Sequence, residues 1–127
     1  MGQSNTAYAQ YFTGTSYLAS IQPKNLAEGE ATAQAYANVT FAPGCRNNWH
    51  IHHGVRQILI CVSGRGWYQE WGKDAIALQA GDIIDIPEGV KHWHGAQADT
   101  PFQHLATHVL TAAAQSNEWL EPVTAAH

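Results

Sequence analysis

The sequence predicts an all-β protein of the sandwich or barrel type. Segments with the composition of strands recur at a spacing of roughly 8–12 residues, and glycine, proline and aspartate turns separate them. Residues that favour a helix are confined to the two ends of the chain. Many short strands without intervening helices favour a sandwich or barrel over an α/β fold.

The strands are predicted from apolar alternation and from the turns that bound them. Residues 33–41 alternate between apolar and polar side chains, as a half-buried strand does. Residues 57–62 are almost continuously apolar, and we expect them to form a hairpin with residues 67–71 around a turn at 63–66. The remaining predicted strands are residues 75–78, 83–86, 92–96 and 103–109.

The two ends of the chain are expected to flank this barrel. Residues 8–18 are rich in aromatic side chains, so we expect them to pack on the barrel or on a second subunit. Residues 111–119 are predicted to form a short C-terminal helix. With 127 residues the chain has the size of one domain, residues 1–127, whose barrel core spans about residues 30–111.

Composition excludes several classes of partner. Lys and Arg total 6 against 10 Asp and Glu, without the basic cluster that phosphate backbones require, so nucleic acid is not expected as a partner. No apolar run approaches the roughly 18 residues of a membrane span. The sequence shows no signal peptide, and we therefore expect a cytoplasmic protein in which Cys45 and Cys61 are free thiols.

The eight histidines carry the strongest chemical signal because seven of them are clustered. Residues two apart in a strand project to the same face, so His50 and His52 point the same way. A turn at Gly54 would bring Gln57 back beside them, and His92 would complete the set from a separate strand. The clusters are His50, His52 and His53, then His92 and His94, then His104 and His108.

Three imidazoles and one amide oxygen suit a first-row divalent metal and leave coordination positions open for a substrate. Mn, Fe, Zn and Ni all accept such a set. Gln57 either coordinates the ion directly or hydrogen-bonds a water bound to it. The competing interpretation for the three histidines is structural hydrogen bonding.

These residues also match two motifs of a known family. The first motif of the cupins has the spacing of Gly44, His50, His52, Gln57 and Gly64, with Gln57 standing where Glu is usual. The second has the spacing of Gly81, Pro87, Gly89 and His92, with Ala96 where Asn is usual. The chain therefore resembles a cupin over residues 44–96.

The resemblance implies a double-stranded β-helix, or jelly-roll barrel, that holds one metal ion inside. It implies His50, His52, Gln57 and His92 as the metal ligands. Because Gln replaces Glu, the bound ion keeps its charge of about +2 and is the stronger Lewis acid.

Three histidines, the glutamine and His92-Trp93-His94 resemble a narrower set of small bacterial cupins that includes manganese-dependent hydroxynitrile lyases. That similarity implies Mn as the metal and a lyase acting on a small hydroxy or carbonyl compound. His94 shares its parity with His92, so a regular strand aims it into the same cavity as a candidate acid or base. The resemblance aligns His104 with a pocket residue of the lyases and makes it the second catalytic candidate.

Two alternatives use the same fold. One is a metal-dependent dioxygenase or other oxidative cupin, which needs two adjacent open coordination positions. The other is a non-enzymatic cupin that binds a small molecule. Small cupins bury extra strands between subunits, so a homodimer or a dimer of dimers is expected.

Overall fold

A computed structural model describes residues 3–4, 11–21, 24, 34–111 and 115–124. The all-β prediction is confirmed, and the described residues form twelve antiparallel strands of a nearly closed barrel. The strands are β1 (Gln3–Ser4), β2 (Phe12–Thr13), β3 (Ser16–Ile21), β4 (Gln34–Phe41), β5 (Arg46–Asn47), β6 (His50–His53), β7 (Val55–Glu70), β8 (Ile76–Gln79), β9 (Ile83–Ile86), β10 (His92–Ala96), β11 (Phe102–Leu110) and β12 (Ser116–Trp119).

Two layers make up the barrel. The first sheet has the strand order β1-β3-β4-β11-β7-β9, and every pair in it is antiparallel. In the second sheet β10 pairs with β5, β6 and β7, while β2, β12 and β8 extend it at the outside. The long strand β7 belongs to both sheets and joins them along one side.

The predicted hairpin around residues 63–66 is wrong, because β7 runs unbroken from Val55 to Glu70. Its first half pairs with β11 and β9, and its second half pairs with β10 and β8. Gly64 has a φ of +75°, and a Cβ there would lie 1.9 Å from the carbonyl oxygen of Pro101. Gly64 therefore lets strand β7 bend from one sheet into the other while it packs closely against the backbone of Pro101. The sequence had indicated a turn at this position.

The predicted C-terminal helix is wrong over Ser116–Trp119, which is strand β12, while residues 112–114 lie outside the described part of the chain. This strand pairs with the edge of β6, with Asn117 opposite His52 and Trp119 opposite His50. The Trp119 ring stacks on Tyr11 at 4.5 Å between centroids. Edge pairing and aromatic stacking thus outweigh the helical preference of the local sequence.

The core lies between the two sheets and joins the histidine cluster directly. Phe41 and Phe102 are fully buried and stack at 6.2 Å between ring centroids. Phe41 also contacts the ring of His104 at 5.6 Å. Cys45 and Cys61 are free cysteines, as predicted, and burial raises the pKa of their thiols to about 12 and about 11.

The outer face of the first sheet is apolar and partly exposed. Ile21 and Ile60 border a groove of about 460 Å³ on this face, away from the histidines. Exposed apolar surface of this kind is suited to subunit contacts, and the expected homodimer stays a prediction. Within the described ranges the structure has no helix with the length and hydrophobicity needed to cross a membrane.

Replacing Gly95 with alanine should destabilise the fold by about 2 kcal/mol or more, because the interior cannot accept an added methyl group. A Cβ at Gly95 would lie 2.4 Å from the carbonyl oxygen of Cys45 and 2.6 Å from the Cα of Arg46. The control is Gly72→Ala, where nothing lies within 4 Å and only the φ of +82° costs about 1 kcal/mol. Urea unfolding followed by tryptophan fluorescence measures both, and equal losses would contradict the close packing of β10 on β5.

Candidate metal centre

The candidate centre lies where β6, β7 and β10 meet inside the barrel. His50 and His52 project from β6, and His92 lies opposite His50 in the antiparallel pair of β6 and β10. Gly54, with a φ of +74°, turns the chain from β6 into β7 and brings Gln57 into the same space. One ring nitrogen from each of the three histidines lies within 4.8 Å of the others.

Two backbone carbonyls orient the rings of His50 and His92. The Nδ1–H of His50 donates to the oxygen of Asn48 at 2.8 Å, and that of His92 donates to the oxygen of Val90 at 2.9 Å. A carbonyl only accepts, so each proton is on Nδ1 and each Nε2 keeps its lone pair. The Nε2 of His92 is buried without a hydrogen-bond partner among the described residues.

His52 and Gln57 face each other with two acceptor atoms. The Nδ1 of His52 lies 2.7 Å from Asn117 Oδ1, so in the neutral ring the proton is on Nδ1 and the lone pair is on Nε2. That nitrogen lies 3.0 Å from Gln57 Oε1, which is also an acceptor. In octahedral coordination neighbouring ligands stand at right angles, so two ligands that are each about 2.1 Å from one ion lie about 3.0 Å apart. The pair therefore fits a shared cation.

Burial favours the neutral form of His50 and His92. His50, His52, Gln57 and His92 are 2%, 6%, 7% and 0% exposed. Desolvation lowers the pKa of His92 to about 4. It also lowers the pKa of His50 well below its ordinary value, and repulsion from His92 and His52 adds to that shift. Neutral imidazoles are the form that binds metal, so the set is ready to accept a divalent cation.

His94 and His104 lie on the core side of this cluster. The ring of His94 is 5.9 Å from that of His92 and 5.2 Å from that of His104. Asn47 accepts the backbone N–H of His94 at 2.9 Å, and its amide nitrogen lies 3.3 Å from His94 Nε2. Both rings are buried, and desolvation lowers the pKa of His94 well below its ordinary value and that of His104 to about 4.

Among the described residues, neither nitrogen of the His104 ring has a hydrogen bond of regular geometry, and its one backbone contact is with Leu105. A buried polar ring without regular hydrogen bonds costs free energy, so its presence indicates a use for those nitrogens. Its neighbour His94 supplies a second neutral imidazole at contact distance. The arrangement can accept and return a proton beside the three-histidine cluster.

Two residues around the cluster, Asn117 and Asn47, were not singled out from the sequence, and His108 was named there only as one of the clustered histidines. Asn117 contacts His52, Asn47 contacts His94, and the Nε2 of His108 lies 3.0 Å from the Nε2 of Gln57. The shared parity of His104 and His108 was the available signal for the last. His53, by contrast, is exposed and pairs with Glu118 at 2.9 Å, outside the cluster.

A small polar cavity lies beside two residues that contact the candidate ligands. Its volume is about 240 Å³. Among its lining residues are His108 and Asn117, the partners of Gln57 and His52. The larger groove on the outer sheet face has no histidine in its lining. The smaller cavity therefore lies beside residues that contact the candidate ligands, while none of the four candidate ligands lines it.

Comparisons with known proteins agree with this architecture. Residues 37–108 match the family model described as the cupin domain. The (R)-mandelonitrile lyase of Granulicella tundricola is 39% identical over 116 residues, covering 91% of this chain and 84% of the relative. A crystal structure of a cupin-like protein from Thermotoga maritima superimposes with a TM-score of 0.83 at 35% identity, covering 97% of this chain and 87% of that one.

A more distant relative has oxidative chemistry in its name. The acireductone dioxygenase of Bacillus cytotoxicus is 34% identical over 65 residues, covering 48% of this chain and 38% of the relative. The shared stretch is much shorter than that with the mandelonitrile lyase. Together the matches support the jelly-roll fold predicted from the two motifs.

Proposed function

Since the chain belongs to the cupin family, we propose that it is a metal-dependent lyase acting on a small hydroxy or carbonyl compound, with cyanohydrins as the first class to test. The relative with the name (R)-mandelonitrile lyase supports the class, because the match covers most of both chains. The donor set in the barrel supports the metal dependence. Fold alone would support neither, since cupins carry many functions.

In this proposal His50, His52, His92 and Gln57 hold one divalent ion, with Mn favoured by the resemblance to the lyases. The facing acceptors of His52 and Gln57, 3.0 Å apart, support Gln57 as a direct ligand. A divalent cation held by this neutral set supplies Lewis-acid stabilisation of negative charge on a substrate oxygen.

His94 and His104 are proposed to move the proton. In cyanohydrin cleavage the hydroxyl proton passes to a neutral imidazole, the carbon–carbon bond breaks with its electron pair on cyanide, and the carbonyl forms. The imidazolium then gives the proton to cyanide, so the products are an aldehyde and hydrogen cyanide with no change in oxidation state. Burial lowers the pKa of His104 to about 4, so the ring is neutral at pH 7 and its lone pair is free to accept the proton.

One observation carries the proposal. The imidazole of His104 is fully buried 5.2 Å from His94, and among the described residues its ring nitrogens have no side-chain partner and only a contact with the backbone of Leu105. His94 in turn lies 5.9 Å from His92 of the three-histidine cluster. Charge stabilisation and proton transfer are thereby available at adjacent positions, which is what cleavage of a hydroxynitrile requires.

The test is the release of benzaldehyde from mandelonitrile. Metal-free protein, protein reconstituted with Mn²⁺, and reconstituted His50→Ala and His104→Ala are compared by absorbance, with the rate in buffer subtracted. We expect release only with Mn²⁺, and a loss of about a hundredfold or more in both variants. The exposed His53→Ala is the matched control and should keep full activity. Release that does not depend on metal would contradict the proposal.

The oxidative alternative is a second candidate because the same donor set also suits iron, and because of the partial match to the acireductone dioxygenase. Oxygen consumption by the Fe²⁺ form with dicarbonyl substrates distinguishes the two activities. Consumption above the metal-only rate, without benzaldehyde release from mandelonitrile, would favour the dioxygenase. Metal and ligand binding without turnover of either substrate would favour the non-enzymatic binding protein.

A further inference from the structure

We propose that His108 is a positioning residue that determines which atom of the Gln57 amide faces the metal site. The inference rests on the proposed metal site. It adds that a glutamine ligand, unlike a glutamate, must be held with its oxygen toward the ion. A glutamine amide has one end that attracts a cation and one end that repels it. A chain that uses Gln at this position therefore needs a device that fixes the orientation of the amide.

The hydrogen bond between the two side chains supplies that device. Gln57 Nε2 lies 3.0 Å from His108 Nε2. An amide NH₂ only donates, so the ring nitrogen accepts, and the imidazole proton is on Nδ1. The amide oxygen is then directed the other way, and it lies 3.0 Å from His52 Nε2 within the candidate donor set.

The reversed amide would be incompatible with a cation. Its two N–H groups would point at the site that His50, His52 and His92 surround, and its oxygen would face His108. A carboxylate at the same position presents equivalent oxygens at either rotation, so a glutamate would not depend on His108 in this way. The dependence is specific to Gln57.

The position of His108 suits this role without making it a support of the core. In the pairing of β11 with β7 it stands directly opposite Gln57, which sets their contact through backbone register. Its ring is 5.7 Å from that of His52, and it is only partly buried at the edge of the 240 Å³ cavity. Substitution there should leave the interior packing in place.

The test is a double-mutant cycle on metal affinity. Mn²⁺ binding to metal-free protein is measured by calorimetry, with chelator competition, in wild type, His108→Leu and His108→Gln. We expect His108→Leu to bind about tenfold to a hundredfold more weakly, as loss of a hydrogen bond to a ligand usually costs. His108→Gln keeps an acceptor at similar reach and should stay within about threefold of wild type.

The second half of the cycle is made in Gln57→Glu. There His108→Leu should change Mn²⁺ affinity by less than about threefold, because the carboxylate does not need orientation. The visible spectrum of the Co²⁺-loaded proteins gives an independent readout of the ligand field. The Co²⁺ spectrum of His108→Leu should differ from that of wild type, and the spectrum of His108→Gln should resemble that of wild type. His108→Met repeats the comparison if the leucine variant unfolds.

The outcomes separate the two proposals. If wild type binds no Mn²⁺, the proposed metal site fails. If wild type binds and His108→Leu binds equally well, only the role of His108 is overturned. A loss of the same size in wild type and in the Gln57→Glu background would also overturn it, since a general packing defect would act in both. Unfolding midpoints of the metal-free variants verify that each is folded.

Discussion

Replacing His92 with alanine should lower the affinity of the metal-free protein for Mn²⁺ by roughly a hundredfold or more. Loss of a direct ligand must cost at least as much as loss of a residue that supports one, which costs about tenfold to a hundredfold. His92 is the best position for this test because its Nε2 is buried and has no described partner. Its other nitrogen is already bonded to the oxygen of Val90, so no alternative orientation competes.

Thermal unfolding gives a second measure of the same loss. Metal at a hundred times its dissociation constant stabilises a folded protein by about 2.7 kcal/mol. Wild type should therefore melt at a higher temperature when Mn²⁺ is added, and His92→Ala should not respond at the same concentration. His53→Ala should behave as wild type, because that exposed ring is bonded to Glu118 away from the cluster. Retained affinity in His92→Ala would remove this residue from the metal site.

The metal-free protein should lose most of its stability between pH 6.5 and about pH 4. Burial lowers the pKa of His92 and of His104 from 6.5 to about 4. Above pH 6.5 these groups are neutral in both folded and unfolded chains, and their contribution to stability is fully present. Below pH 6.5 the unfolded chain binds protons that the folded chain excludes, so stability falls with pH.

The expected decrease in the free energy of unfolding is large relative to the total stability of the protein. Each group contributes about 1.4 kcal/mol per pH unit in this window, or roughly 2 kcal/mol at pH 5. Burial likewise lowers the pKa values of His50, His94 and His108, which adds to the effect. Domains of this size are stable by only about 5–15 kcal/mol. Acid alone should therefore unfold the metal-free chain.

Urea unfolding at a series of pH values measures the slope. His104→Leu removes a side chain that binds a proton in the unfolded chain but not in the folded one, so the slope of stability against pH should become shallower. Bound Mn²⁺ should shift the loss to lower pH, because protons must then displace the cation. A stability that is flat from pH 7 to pH 5 would show that the buried rings are already protonated or hydrated in the folded chain.

Much of the site followed from spacing alone. Strand periodicity placed His50 and His52 on one face, and Gly54 indicated the turn that brings Gln57 beside them. Those relations are local, so the sequence contains them. The arrival of His92 was a long-range inference that depended on the matching motif, and the pairing of β6 with β10 puts it directly opposite His50.

Other features depend on contacts between distant segments, and for these the local sequence led to wrong predictions of secondary structure. Gly64 has neighbours in the sequence that are typical of a turn. In the structure a glycine is required there because the backbone of Pro101 passes too close for a side chain. The stretch before Trp119 has helical composition, yet its backbone completes the edge of β6. The partners of the candidate ligands, Asn117 and His108, likewise follow from strand register, which only the assembled sheets define.

The pairing of β12 with β6 also has a consequence for biosynthesis. Asn117, which orients the ring of His52, is made 65 residues after it. A ribosome adding about 5–20 residues per second needs roughly 3–13 s to cover that distance. During this interval His50 and His52 have been synthesised, but strand β12, which pairs with β6 and contacts His52 through Asn117, has not. We therefore expect the candidate metal site to be complete only after β12 has been translated.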